Sequence, residues 1–185
     1  MSMTSENASS ADNQQERFQH KTQKVPQKIG YYIAGFIDGE GSFNVSLRKN
    51  PSYRLDWQVV LSFNVSQKDI YMLNIIKRYI NCGIIKQRKR DGLYSLDVTK
   101  PSDVIENVIP FFDKFRLLSP SKRKNYEIFK RISMLMKEKK HLEEKGLHKI
   151  LKLREELNTG KGRKRKYSIN DVFVEKSSET IRRAH

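Results

Sequence analysis

The chain has 185 residues, with 37 Lys and Arg against 21 Asp and Glu, and carries a formal charge of +16. Its one cysteine, Cys82, excludes an internal disulfide framework and a Cys-rich zinc site. No apolar run reaches the roughly 18–20 residues of a membrane span, and no signal-type apolar segment is visible, so the expected partner is a polyanion inside the cell rather than a membrane.

Residues 1–28 are rich in Ser, Asn, Gln and Thr and read as a disordered polar tail. A folded core is expected over 29–158, followed by a basic loop and tail over 159–185. The core opens with a short apolar helix over Tyr31–Gly39. Ser42–Asn50 and Leu55–Ser66 alternate apolar and polar residues at period two, the pattern of half-buried strands, with Asn50–Arg54 as the turn between them. Met72, Leu73, Ile76 and Ile80 fall at helical spacing within Lys68–Ile80. Ile84–Arg90 and Leu93–Thr99 form a second hairpin closed at Asp91-Gly92. Ser102 is a candidate cap for a helix running to Phe115, which Pro110 is expected to interrupt or kink. Two basic helices follow, over Ser121–Leu142 and Gly146–Leu157. The order predicts an α+β fold, αββαββα(α), with a four-stranded antiparallel sheet and helices on one of its faces.

If helices cover the Trp57/Phe63/Leu96 face, the other face presents Ser46, Arg48, Gln58, Asn64, Ser66, Lys86, Arg88 and Ser95. Arg and Lys suit guanine edges, and Gln and Asn suit adenine. A polar sheet face is ordinarily just solvated surface; in a chain of this charge it is a candidate reader of nucleic acid, to which Asn50, Tyr53 and Lys68 are added. The segment from Lys122 to Lys166 carries a net +11, and within it Lys161, Arg163 and Lys164 are expected to grip phosphates.

Tyr32-Ile-Ala-Gly-Phe-Ile-Asp-Gly-Glu-Gly41 is the most informative stretch. Small residues leave one helix face nearly bare, and each interior glycine costs about 0.5–1 kcal/mol against alanine, so the helix needs a partner at backbone distance. It also ends in acids, Asp38 and Glu40, at the unfavourable end of its dipole. Composition alone allows an ordinary core helix with Asp38 as a local cap. The ten residues nevertheless resemble, nearly position for position, the motif of LAGLIDADG homing endonucleases. The similarity extends over roughly residues 30–166, toward single-motif, homodimeric meganucleases of the algal-chloroplast type.

The resemblance implies a site-specific endonuclease, probing a long pseudo-palindromic duplex and cutting both strands by phosphodiester hydrolysis, with an intron-borne gene. It implies a saddle-shaped sheet and a homodimer joined through the motif helix at Ala34, Gly35, Ile37 and Gly39. Glu40 resembles the terminal metal-binding acid, one methylene longer than the commoner Asp, with the backbone of Gly39 as a further ligand. Mg²⁺ is the implied cofactor, with Mn²⁺ or Ca²⁺ as other occupants. Gln67 matches the polar residue that orders water, and Lys122, preferred over Lys124, the active-site lysine. Tyr71 stands where relatives often carry arginine, a departure that leaves one contact in question. Asp38 is implied to be structural. Cys82, His141 and His148 read as background. Double-stranded DNA is the expected substrate, with intron RNA as a further partner; an RNA-splicing maturase or a non-cleaving DNA-binding relative is the alternative. The implied location is intracellular, a bacterial cytoplasm, chloroplast or mitochondrion.

Overall fold

The computed structural model describes residues 25–159 and 165–173. Helix α1 (Gln27–Glu40) runs directly into β1 (Gly41–Lys49). The hairpin partner is β2 (Trp57–Gln67), followed by α2 (Ile70–Ile80), β3 (Ile84–Gln87) and β4 (Tyr94–Val98). Then come α3 (Pro101–Asp103), a π-helical turn (Val104–Val108), α4 (Ile109–Lys114), α5 (Pro120–Lys137), a 3-10 turn (Lys140–Leu142) and α6 (Glu144–Glu155). The expected first helix thus begins four residues earlier, at Gln27, inside the segment read as tail. Lys161, Arg163 and Lys164, and the two terminal tails up to residue 24 and from 174, lie outside the described residues.

The sheet has four strands in the order β1-β2-β4-β3, and every neighbouring pair is antiparallel. Period two decides its faces. Phe43, Val45 and Leu47 on β1, Trp57 to Val65 at alternate positions on β2, and Leu96 and Val98 on β4 are buried. Helices cover that face. Phe43 sits at the centre of an aromatic group, its ring 5.3 to 5.5 Å from those of Phe63, Phe112, Tyr126 and Phe129. Each such ring contributes roughly 1.5–3 kcal/mol of burial, plus edge-to-face attraction.

One expectation about the third helical region is corrected. Ser102 is not its cap: the segment starts at Pro101, and the Ser102 hydroxyl is buried without a partner among the described residues. The α-helix is interrupted next to Pro110, by a change of helix type just before it. The preceding π-helical turn, with Ile109 N–H donating to the Val104 carbonyl, places Pro110 in the first turn of α4, where a missing N–H costs little. Asp91-Gly92 lies in the β3–β4 connection, with Gly92 at φ +69°, but the turn is wider than the expected tight one: Arg88 N–H donates to the Leu93 carbonyl and Gly92 N–H to the Arg88 carbonyl, so the paired strands stop at Gln87 and resume at Tyr94.

The outer edge of β1 is covered from α6. Arg154, buried, donates through Nε to the Val45 carbonyl (3.1 Å), and Asn158 donates through Nδ2 to the Phe43 carbonyl (2.8 Å). Covering an edge in this way removes a template for unwanted strand pairing.

Candidate active site and nucleic-acid interface

Helix α1 has two faces of different character. Ile33, Ala34 and Ile37 are buried, and Gly30 packs so closely that a Cβ there would lie 2.2 Å from the Phe115 ring. One turn apart on the outer face, Tyr32, Gly35 and Gly39 are exposed, and a Cβ on either glycine would meet nothing within 4 Å. The expected interface set is therefore corrected: Ala34 and Ile37 serve the protomer's own core, and the bare stripe is Gly35 and Gly39 flanked by Tyr32. Helical geometry is the reason, since residues three and four apart share a face while Ala34 sits a hundred degrees from Gly35.

At the end of α1 the two acids part. Asp38 accepts from Leu118 N–H (3.1 Å), Ser119 N–H (2.8 Å) and the Ser119 hydroxyl (2.7 Å). It thereby caps α5, whose Ser119 makes no side-chain cap of its own. Burial alone would raise its pKa; the bonds from Ser119 and Leu118 and the charge of Lys122 outweigh that and hold the carboxyl below its usual range. Glu40 is exposed and takes no hydrogen bond from the described residues.

Lys122, in the first turn of α5, is half-buried and donates through Nζ to the Gly41 carbonyl. Burial pushes its pKa down, against the opposing pull of Asp38 and Glu40. Lys124 is exposed, and the lysine whose charge acts on Asp38 is Lys122. The ammonium that reaches the end of α1 is thus Lys122. Gln67, the last residue of β2, lies two positions beyond the Val65–Gly41 pair, at the same end of the sheet; its Oε1 accepts from Lys68 N–H (3.1 Å). Lys68 is exposed, as is Tyr71 on the first turn of α2. Cys82 is buried, and burial, with Asp103 nearby, pushes its thiol up to about 12, so it is no nucleophile.

The register places the reading face. Arg48 pairs with Gln58, Ser66 with Ser95, and Ser95 with Lys86, so all five share the polar side with Ser46 and Asn64. Ser46, Arg48 and Lys86 are exposed, but Ser95 is buried and donates to Asp97 (2.9 Å). Arg88 lies past the end of β3 and forks onto Asp91 (2.9 and 3.2 Å). Asn50 accepts from Ser52 N–H (3.1 Å), and the Tyr53 hydroxyl accepts from Gln58 (3.1 Å), so both belong to the hairpin loop's own bonding. The same face also holds Ser42, Asn44, Val60, Ser62, Ile84 and Asp97, which were outside the expected set although strand parity alone places them there.

These features define a class: α+β proteins in which a motif helix with a bare outer face delivers an open carboxylate to the end of a polar antiparallel sheet. The family model described as LAGLIDADG endonuclease matches residues 33–133, and the chain belongs to that family. It is 37% identical over 130 residues to the "Probable intron-encoded endonuclease 2" of Neurospora crassa, a match covering 69% of this chain and 27% of that relative. The chain spans only about a quarter of the first such curated relatives. Among solved structures, the homing endonuclease I-TnaI aligns with a TM-score of 0.67 at 30% identity, over 82% of this chain and 97% of that one. I-SmaMI, bound to an uncleaved DNA target in the presence of calcium ions, aligns with a TM-score of 0.70 at 32% identity, over 82% of this chain and 49% of that one. Among the described residues, no helix is long and apolar enough to cross a membrane.

Proposed function

We propose that the protein is a site-specific, metal-dependent DNA endonuclease that acts as a homodimer on a long, pseudo-palindromic duplex. The observation that carries this reading is the corner where α1 ends. An exposed Glu40, a half-buried Lys122 and a bare Gly35/Gly39 stripe adjoin the end of a polar sheet face in a chain of charge +16.

Two copies packed through the bare stripes bring their Glu40 residues toward one axis. Among the described residues of one protomer no three His, Cys, Asp or Glu side chains cluster. Its donors are hard oxygens: the Glu40 carboxylate and the Gly39 carbonyl. Mg²⁺ suits such a set, because it keeps waters and takes phosphate oxygens as its remaining ligands. When bound, the cation supplies charge neutralisation between the carboxylates and Lewis acidity toward the phosphodiester.

The chain's own groups then have distinct tasks. Lys122 has three donor hydrogens and uses one on Gly41, which leaves the others for a phosphate oxygen or a water beside Glu40. Gln67 stands at the same sheet end to orient water. Ser46, Arg48, Gln58, Asn64, Ser66 and Lys86 read base edges, while the basic helices and the 161–164 run neutralise phosphates. An intracellular location, in a bacterial cytoplasm or an organelle, goes with this reading, as does an intron-borne gene.

The test is a cleavage selection on a randomised duplex library with and without Mg²⁺. The reading expects cutting only with the cation, at a site whose halves are related by near two-fold symmetry. Cutting that persists in chelator, or selection of an asymmetric or single-stranded substrate, overturns it.

A further inference from the structure

A hydrogen-bond relay crosses from the end of α6 to the polar sheet face. Asn158 adopts the left-handed conformation (φ +53°), and its own N–H is held by Asn125 Oδ1 (3.0 Å). Its Nδ2 donates both to the Phe43 carbonyl (2.8 Å) and to Asn44 Oδ1 (3.0 Å). Asn44 Nδ2 in turn donates to Ser42 Oγ (2.8 Å).

The polarity of this chain is dictated at its far end. A backbone carbonyl only accepts, so the Asn158 atom facing Phe43 is the nitrogen. The same nitrogen faces Asn44, whose oxygen must then point to it, and the Asn44 nitrogen must face Ser42. The Ser42 hydroxyl accepts there, leaving its proton to point away from Asn44. Two free amide rotors and a hydroxyl are thereby reduced to one arrangement of donors and acceptors. Ser42 and Asn44 stand on the polar face at the end of β1 that adjoins Glu40, with Ser42 paired to Asn64 and Asn44 to Ser62.

We infer that Asn158 is a positioning residue for base readout: it fixes the amide of Asn44, and through it Ser42, so that this pair selects one base position in each half-site, beside the cut. The inference rests on the reading of this sheet face proposed above. Asn158 touches no base; it removes the alternative amide orientation, which would present the opposite pattern to a base edge.

The experiment is a binding selection of the full chain on a randomised duplex library, scored position by position. Asn158→Gly removes the amide while keeping a backbone that glycine adopts freely. Discrimination is expected to fall roughly tenfold at a single position per half-site, the one that Asn44→Ala relaxes. Pooled affinity and its salt dependence stay near wild type, since no phosphate contact is lost. Asn158→Asp, a second variant at the same backbone, faces Asn44 with an acceptor and is expected to alter the preferred base at that same position. The inference is overturned if both variants keep the wild-type preference where Asn44→Ala loses it. It is equally overturned if Asn158→Gly lowers discrimination evenly at all positions, the sign of a purely structural role. A wild-type chain without base preference overturns the DNA-reading assignment itself, a result distinct from both.

Discussion

Asp38 and Glu40 stand two residues apart at the end of one helix, and their surroundings differ in almost every respect. Asp38 is half-buried, takes three hydrogen bonds from Leu118 and Ser119, and sets its charge against the positive end of α5. Glu40 is exposed, with Lys122 as the neighbouring charge. An acid at a helix C-terminus is unfavourable in both cases. For Asp38 the fold offsets that cost within the protomer. For Glu40 no such bonds form among the described residues, and its carboxylate stays open beside the Lys122 ammonium and the bare helix face.

The sharpest way to break this contrast is to remove each charge. Glu40→Gln is expected to lower cleavage about 10³-fold or more, the scale of several kcal/mol of lost charge stabilisation. Its thermal unfolding and its affinity for target duplex should match wild type. Single-turnover cleavage by purified Glu40→Gln at near wild-type rate would show that the open acid is only surface. Lys122→Met comes next, with an expected loss of roughly 10²–10³-fold, as for removal of one preorganised donor. Lys124→Met, at an exposed position, should cost cleavage little and affect mainly the salt dependence of binding. Equal rates for the two methionine variants would remove Lys122 from the site.

The glycines of α1 carry the same contrast between a face used within the protomer and one left open. A Cβ at Gly30 would collide with the Phe115 ring, whereas one at Gly35 would meet nothing. Gly30→Ala is therefore expected to destabilise the fold by about 1–3 kcal/mol, the cost of overpacking. Gly35→Ala should leave the protomer as stable or raise it by about 0.5–1 kcal/mol, through helix propensity. Gly35→Leu should keep the protomer folded but shift sedimentation from dimer to monomer; a cleaving dimer carrying Leu at 35 would move the interface elsewhere.

Much of this was legible in the sequence because it depends on local period. Alternation over Trp57–Val65 assigns the faces of β2, and Asp91-Gly92 marks the second hairpin, without any knowledge of tertiary structure. The motif pointed to Glu40, and the family resemblance, not charge alone, pointed to Lys122. What escaped depends on phase or on distance. Counting small residues could not separate Ala34 from Gly35, because their hundred-degree difference matters only once the core side of α1 is known. The π-helical turn that accommodates Pro110 answers to packing rather than to propensity. The partners of Asp38 lie 80 and 81 residues away, and Asn158 is 114 residues from Asn44, separations at which no spacing rule speaks.

The last expected effect concerns the half-buried acid and follows from its linkage to pH. A carboxyl whose folded pKa lies below its unfolded value near 3.8 stabilises the fold above that value, because the ionised form is the one the native state prefers. That contribution is lost as pH falls through the folded pKa. Asp38→Asn offers an amide where two backbone N–H groups and a hydroxyl need acceptors, so it should cost about 1–2 kcal/mol at neutral pH, in the range of a lost helix cap. The gap between wild type and Asp38→Asn should then narrow as pH drops below the ordinary carboxylate range, since the protonated wild-type acid also loses an acceptor. Denaturant midpoints at a series of acid pH values measure that gap directly. A gap that stays constant through the acid range would mean that Asp38 holds α5 by shape alone, and that the two acids of the motif differ less in electrostatics than in exposure.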